Sequence, residues 1–467
     1  MHSTDQRVEK LLVAPWGSPW GSSRKYPRGW NLQTYIYEDD SLQSRTSLDM
    51  LARKLRPDKV LIVVLDTLAT TIINTGSKRE YLELTDDVRD NVERYIENET
   101  KELKNCDFEI IVAPGVGRFR NGVFKGNLSD FYYFTCWELA KRMVGFYRSL
   151  KEVHLDLTHG INFMPTLTYL SLKEIISAFN ILRSGENNGI KFTVYNSDPV
   201  VGEEMQKLEI HVVEKSEPIW FVPRLKVVES SITPVCPSGK NPELWQKLNS
   251  EKEIARLRKI LNCKDASAFL GAILNGFPLA IVSFFPENIR CLGEAIEDIV
   301  SIFIRYIDVN VKDCSVTLNR KLKFTEHFKF LVFVWIFARL LRLTEVIKCR
   351  LKEVELEVLK VLKGKVFKWN NVLYSVVGTE IWQIEEHVKK RNVSDWTLLA
   401  RVFGRKNDQE KKKSVHDRNF LAHAGLEENC VEVKIGDREE IMVRYCEELM
   451  NVIREYCCKG LIEARRS

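Results

Sequence analysis

The chain has 467 residues, 45% of them hydrophobic, and a formal net charge of +6. Such a length predicts two or three domains with ordinary cores, and the charge permits a nucleic-acid partner without demanding one. The 11 cysteines are scattered with no C-x-x-C pair and no His/Cys zinc spacing, which argues against a metal module and for reduced cytosolic thiols.

The opening residues, MHSTDQRVEK, are polar and run straight into a strand, without the apolar stretch of a secretory signal. From there to about residue 213, apolar strands alternate with helical patterns. The strands read as EKLLVAP (9–15), KVLIVVLDT (59–67), FEIIVAP (108–114), VHLDLTH (153–159), KFTVYNS (191–197) and KLEIHVV (207–213). Helical segments fall near 45–56, 85–104, 128–149 and 163–180. Continuous Val/Ile/Leu runs suit strands covered on both faces, so the expectation is a Rossmann-like parallel sheet flanked by helices.

Ligands of such sheets sit beyond the carboxyl ends of the strands. Those ends carry Trp16-Gly17-Ser18, Gly115-Val116-Gly117-Arg118 and Asp156-Leu157-Thr158-His159-Gly160, the last followed by Asn162 and an apolar helix. Gly160 lets backbone approach a ligand, and Thr158, His159 and Asn162 offer donors and acceptors that suit phosphate and ribose. Asn162 as a plain helix cap is the alternative use. A P-loop, the full dinucleotide fingerprint and a G-x-S-x-G elbow are all missing, which disfavours the commonest chemistries of such sheets.

Ser, Pro and Gly concentrate in SSITPVCPSGKNPELW, placing a linker at 229–244 between an α/β domain (1–228) and a helical region (245–467). FLVFVWIFA (330–338) is bounded by Lys329 and Arg339, and AFLGAILNGFPLAIVSFF (268–285) is interrupted by Asn275 and Pro278. A membrane span needs about 20 uninterrupted residues. Both therefore read as buried helices of a soluble, cytoplasmic protein with no membrane partner. LKEVELEVLKVL (351–362) and EIMVRYCEELMNVIREY (440–456) carry the helical period, the latter capped by Asp437 with Glu440. KVFKWNNVLYSVV is ambiguous and fits a small insertion. Residues 245–400 offer no catalytic constellation and read as scaffold and dimer interface.

HDRNFLAHAG (416–425) holds Arg418 and His423 in an R-x4-H spacing, with Asn419 directly after the arginine. Ser414 with Asp417 predicts a capping box and Gly425 a left-handed stop, so the motif is expected on a helix. A guanidinium can neutralise a scissile phosphate, and an imidazole can move protons near neutral pH, which together suffice for metal-free RNA cleavage. Arg418 and His423 are about 140° apart on one helix. Two copies meeting across a dimer axis would bring both pairs into one groove, and Ala422, Ala424 and Gly425 are small enough for a close approach. Arg405, Lys406, Lys411, Lys412 and Lys413 just upstream could track an RNA backbone.

DLTHGIN after a strand of a Rossmann-like sheet, with R-N-x3-H near the carboxyl terminus, resembles the CARF–HEPN ribonucleases of type III CRISPR systems. The resemblance covers the whole layout and rests on the two motifs in that order. It implies a CARF sensor domain followed by a helical HEPN domain with helical insertions. It further implies a homodimer, or an oligomer of such dimers, that binds cyclic oligoadenylate and then cuts single-stranded RNA without metal or cofactor in antiviral defence. Thr158, His159, Gly160 and Asn162 would hold the ring, with Trp16, Gly17 and Ser18 on the other side of the cradle. Arg418, Asn419 and His423 would be catalytic. Cyclic tetra-adenylate is expected ahead of hexa-adenylate, and base preference is expected to be weak or absent. Two alternatives remain: a sensor with an inactive nuclease domain, and a sensor whose Thr158 and His159 also cleave the ring.

Overall fold

A computed structural model of the chain describes residues 7–20, 29–70, 78–119, 121–184, 189–202, 204–216, 225, 230–235, 242–313, 315–405 and 415–459. The basic residues Lys406, Lys411, Lys412 and Lys413 and the expected cap Ser414 lie outside these residues.

In chain order the first half runs β1 (Lys10–Pro15), β2 (Gln33–Tyr37), β3 (Asp40–Ser44), α1 (Ser47–Leu55), β4 (Lys59–Leu65), β5 (Lys78–Arg79) and α2 (Tyr81–Glu99). It continues with β6 (Phe108–Ala113), β7 (Gly117–Phe119), β8 (Gly122–Lys125), α3 (Ser129–Gly145), β9 (Glu152–Asp156), α4 (Met164–Arg183), β10 (Lys191–Ser197) and β11 (Lys207–Ser216). All six expected strands form, in an eight-stranded sheet ordered β3-β2-β11-β10-β9-β1-β4-β6. The block β10-β9-β1-β4-β6 is parallel. β11 runs antiparallel to β10, and β2–β3 is a hairpin on the far edge that periodicity did not reveal.

The apolar runs of β1, β4 and β6 are continuous because each of these strands feeds two cores. Leu11 and Val13 of β1 pack on the α3/α4 side, whereas Leu12 and Ala14 pack on the α1/α2 side. Consecutive strand residues point to opposite faces, so only a sheet covered on both sides buries both sets.

The second half contains β12 (Ile232–Pro234), α5 (Pro242–Asn249), α6 (Lys252–Ile260), α7 (Cys263–Asn275), α8 (Pro278–Ser283) and α9 (Ile289–Arg305). Then come β13 (Ile307–Lys312), β14 (Ser315–Arg320), β15 (Leu322–Phe324), α10 (Glu326–Leu343), β16 (Val354–Glu355), α11 (Leu356–Val366) and α12 (Asn371–Arg391). The chain closes with β17 (Thr397–Leu398), α13 (Leu399–Val402), α14 (Asp417–Ala422), β18 (Val431–Ile435), β19 (Ile441–Tyr445) and α15 (Met450–Cys457). The two long apolar runs are indeed helices: α10 is buried along most of its length, and the other breaks into α7 and α8 at Gly276, whose φ is +80°. Among the described residues no helix is long and apolar enough to cross a membrane.

Three departures matter. Residues 440–456 are not one capped helix: β19 pairs with β18, and Asp437 and Glu440 belong to the turn between them. Ile441, Val443 and Tyr445 are buried while Met442 and Arg444 are only partly so, a period of two that overrides the helical pattern. The ambiguous stretch around residue 370 starts a 21-residue helix, α12, capped by the Asn370 side chain. Finally, β13 and β14 pair with β5 and β8 of the first half in a five-stranded sheet, so the halves interleave.

Candidate functional site

Neighbouring strands place the two expected ligand loops side by side. β1 pairs with β9, so the turns leaving their carboxyl ends meet, and the Gly17 N–H donates to the His159 carbonyl at 2.8 Å. Both glycines are required by contact. A Cβ on Gly17 would lie 2.6 Å from Ile161 Cγ2, and one on Gly160 would lie 2.6 Å from Pro165 Cγ.

His159 Nε2 accepts from the Ser47 N–H and lies within hydrogen-bond distance of the Tyr35 hydroxyl, both at 3.2 Å. Its ring faces Trp30, with centroids 4.0 Å apart. This covering holds the imidazole neutral, pushing its pKa down to about 3. Asp156, fully buried, accepts from the Ser47 hydroxyl at 2.6 Å and from the Thr158 hydroxyl at 2.6 Å. The Thr158 oxygen in turn accepts from the Ser197 N–H at 3.0 Å.

The expected ring-binding residues therefore divide. Trp16 is corrected: it is fully buried beneath Trp30 and Tyr95, so it supports the floor and cannot touch a ligand in this conformation. Thr158 has both roles of its hydroxyl committed to Asp156 and Ser197. Ser18 is partly exposed and Asn162 exposed, and neither side chain bonds any described residue. Asn162 does not cap α4; it sits at φ +50°, and Phe163 is the residue before the helix. The backbone N–H groups of Ser18, His159 and Ile161 also lack partners among the described residues. Tyr35, Ser47 and Trp30 complete the cradle and were not foreseen, since β2–β3 and the start of α1 reach it only through tertiary structure.

The second site is built on α14. Phe420 is fully buried against Phe277 and Tyr456 and pins this short helix. Arg418 and Asn419 stand exposed with no side-chain partner among the described residues. His423 ends the helix, its N–H donating to the Asn419 carbonyl at 3.0 Å. Its Nδ1 lies 3.0 Å from Oε1 of Glu380 on α12; the imidazole is 46% exposed and the carboxylate side chain 11%. Glu380 was missed because nothing local ties it to a motif some forty residues away. The expected helix cap is also revised: His416 precedes α14 without a side-chain bond, and Asp417 pairs with Lys459. Gly425 does turn left-handed, at φ +71°. However, Ala424 and Gly425 are buried within their own chain, Gly425 beside Phe277 and Tyr445, so of the three small residues only Ala422 is exposed. Arg405, the described end of the basic run, is paired with Glu428 at 2.8 Å.

Comparisons with known proteins match this layout. The family model "CRISPR system endoribonuclease Csx1, CARF domain" matches residues 11–199, and that of the HEPN domain of the same family matches residues 370–448. The CRISPR system endoribonuclease Csx1 of Methanocaldococcus jannaschii is 31% identical over 448 residues, 92% of this chain and 87% of that protein. A solved structure, Enterococcus italicus Csm6 bound to cyclic hexa-2′-fluoro-hexa-dAMP, aligns over 90% of this chain and 100% of that one. Its TM-score is 0.24 at 11% identity, too low to carry an argument. With a CARF domain ahead of a HEPN domain, and a relative matched along nearly its whole length, this chain belongs to the Csx1 family of CRISPR system endoribonucleases.

Proposed function

We propose that this chain is a cyclic oligoadenylate-activated endoribonuclease that cuts single-stranded RNA through Arg418, Asn419 and His423, with no metal taking part. The observation that carries the reading is the state of α14. Its arginine and asparagine are exposed and unpartnered among the described residues, one turn from a solvent-facing imidazole, in a member of an endoribonuclease family.

In the proposed reaction the RNA's 2′-oxygen attacks the adjacent phosphorus and the P–O5′ bond breaks. An imidazole takes the 2′-hydroxyl proton, and the leaving 5′-oxygen gains one. The products are a 2′,3′-cyclic phosphate and a 5′-hydroxyl. Arg418 stabilises the charge developing on the phosphorane, and Asn419 positions the strand. One chain supplies one Arg–Asn–His set, and a homodimer would supply two to the same groove.

The activator is proposed to sit over Ser18, His159, Gly160 and Asn162, with cyclic tetra-adenylate ahead of hexa-adenylate. A contiguous route supports coupling. α4 begins at the ring loop, and at its far end the Ser184 hydroxyl donates to the Lys365 carbonyl of α11 at 3.3 Å. α11 is tied to α12 by Lys360–Glu385 at 2.9 Å, and α12 carries Glu380. The activator must favour one arrangement of this route over another to switch the enzyme. The commitments of Thr158 and His159 argue against their cleaving the ring.

The test is a quenched fluorescent single-stranded RNA incubated in EDTA, with and without each ring. Ring-dependent cleavage to 2′,3′-cyclic phosphate ends is expected. His423→Ala should lower it by about a hundredfold or more, the scale of general acid–base catalysis. Ring binding with no cleavage by the wild type would overturn the nuclease and leave a sensor.

A further inference from the structure

Glu380 is the feature of the second half that the proposed chemistry leaves unused. A carboxylate covered to this degree is costly to leave unpaired. Its one side-chain bond among the described residues goes to His423 Nδ1, at 3.0 Å. Its place is set by α12: Val377, Ile381, Ile384 and Val388 form the buried stripe that fixes the helix's rotation, and the Asn370 cap fixes its start. The place of the imidazole is set independently, by Phe420 in the core.

We infer that Glu380 is the positioning residue for His423, which rests on the reading of His423 as the proton-transfer group. A carboxylate facing Nδ1 requires the proton on that nitrogen, leaving the Nε2 lone pair of the half-exposed ring free to take a proton. It also stabilises the imidazolium that forms when Nε2 takes the 2′-hydroxyl proton. Glu380 itself touches no RNA. Its role is that of the acid behind a catalytic histidine, where loss of the charge permits the wrong tautomer while the geometry survives. A glutamine at this position could turn its NH2 toward Nδ1 and place the proton on Nε2, where it blocks the reaction.

The experiment compares Glu380→Gln, Glu380→Asp and His423→Ala in the ring-activated full-length protein. It measures kcat and KM on single-stranded RNA, ring affinity, melting temperature, and 15N spectra of labelled histidine. Glu380→Gln should lower kcat toward the loss of about a hundredfold expected of His423→Ala, leave KM and ring affinity within about twofold, and leave melting essentially unchanged. The His423 signal should move from the Nδ1-protonated pattern toward a mixture, and Glu380→Asp should recover part of the rate. Wild-type kcat in Glu380→Gln, with His423→Ala inactive, would overturn the inference and leave the nuclease standing. So would a fall in kcat matched by a fall in melting temperature with no tautomer change. Full activity in His423→Ala would instead remove the reading of His423 as the proton-transfer group on which the inference rests.

Discussion

Thr158 and His159 are adjacent in the chain, and both read as ligand groups because they follow a strand end and can donate or accept. The fold separates them. His159 faces the cradle as a neutral ring under Trp30, while Thr158 turns its hydroxyl inward to serve a buried carboxylate. Asp156 is a local partner, two residues before Thr158, but its burial and the second partner, Ser197, are set by strand pairing, which local pattern does not show. The structural role has a measurable consequence. Thr158→Val keeps the shape but deprives Asp156 of one donor and the Ser197 N–H of its acceptor. An unsatisfied buried polar group costs about 1–3 kcal/mol. Urea unfolding of the variant should show a loss of that size, with ring affinity below the transition changed by less than about threefold. A stability change under about 0.5 kcal/mol together with a large loss of ring affinity would instead make the threonine a direct contact.

At the scale of elements, the legible parts were those whose period matched their packing. β1, β4 and β6 read correctly because each buries both faces, leaving unbroken apolar runs, whereas the half-buried β11 keeps only the alternate Leu208 and Ile210 inside. α10, buried along most of its length, reads from its own apolar run. The failures are segments where a short strand abuts a helix, as at β19 and α15, and the edge hairpin β2–β3, where half-burial leaves a weak signal. Helix contacts were not legible at all, and α7 against α15 is the sharpest. Gly271 lies mid-helix, where alanine would ordinarily gain about 1 kcal/mol. A Cβ there would stand 1.9 Å from the Cys457 carbonyl oxygen, a backbone atom that cannot swing away. Overpacking of this kind costs about 1–3 kcal/mol or more, so the clash outweighs the propensity. Gly271→Ala is expected to lower the melting temperature. A rise would mean that α15 can slide at no cost.

Across the whole molecule, the expected division at residues 229–244 captures the order of the parts and misses their interlock. The CARF and HEPN matches end at 199 and begin at 370, and the segment between them sends β13–β14 back to pair with β8 of the first half. Arg320, at the end of β14, is fully buried and pairs with the equally buried Asp66 just beyond β4. It also donates to the Gly115 carbonyl at 2.8 Å, beside the strand end next to the cradle. Burial pushes the Asp66 carboxyl up and Arg320 opposes it, so the two charges are tolerated only together. Arg320→Leu should therefore cost about 3–5 kcal/mol, the usual result of leaving one buried charge uncompensated. If the interleaved sheets make the two halves one cooperative unit, amide exchange will accelerate in α12 as well as in β4, because global opening limits both. Faster exchange confined to β4 and its neighbours would show that the halves open separately. Any signal from ring to nuclease would then have to run through α4, α11 and α12 alone.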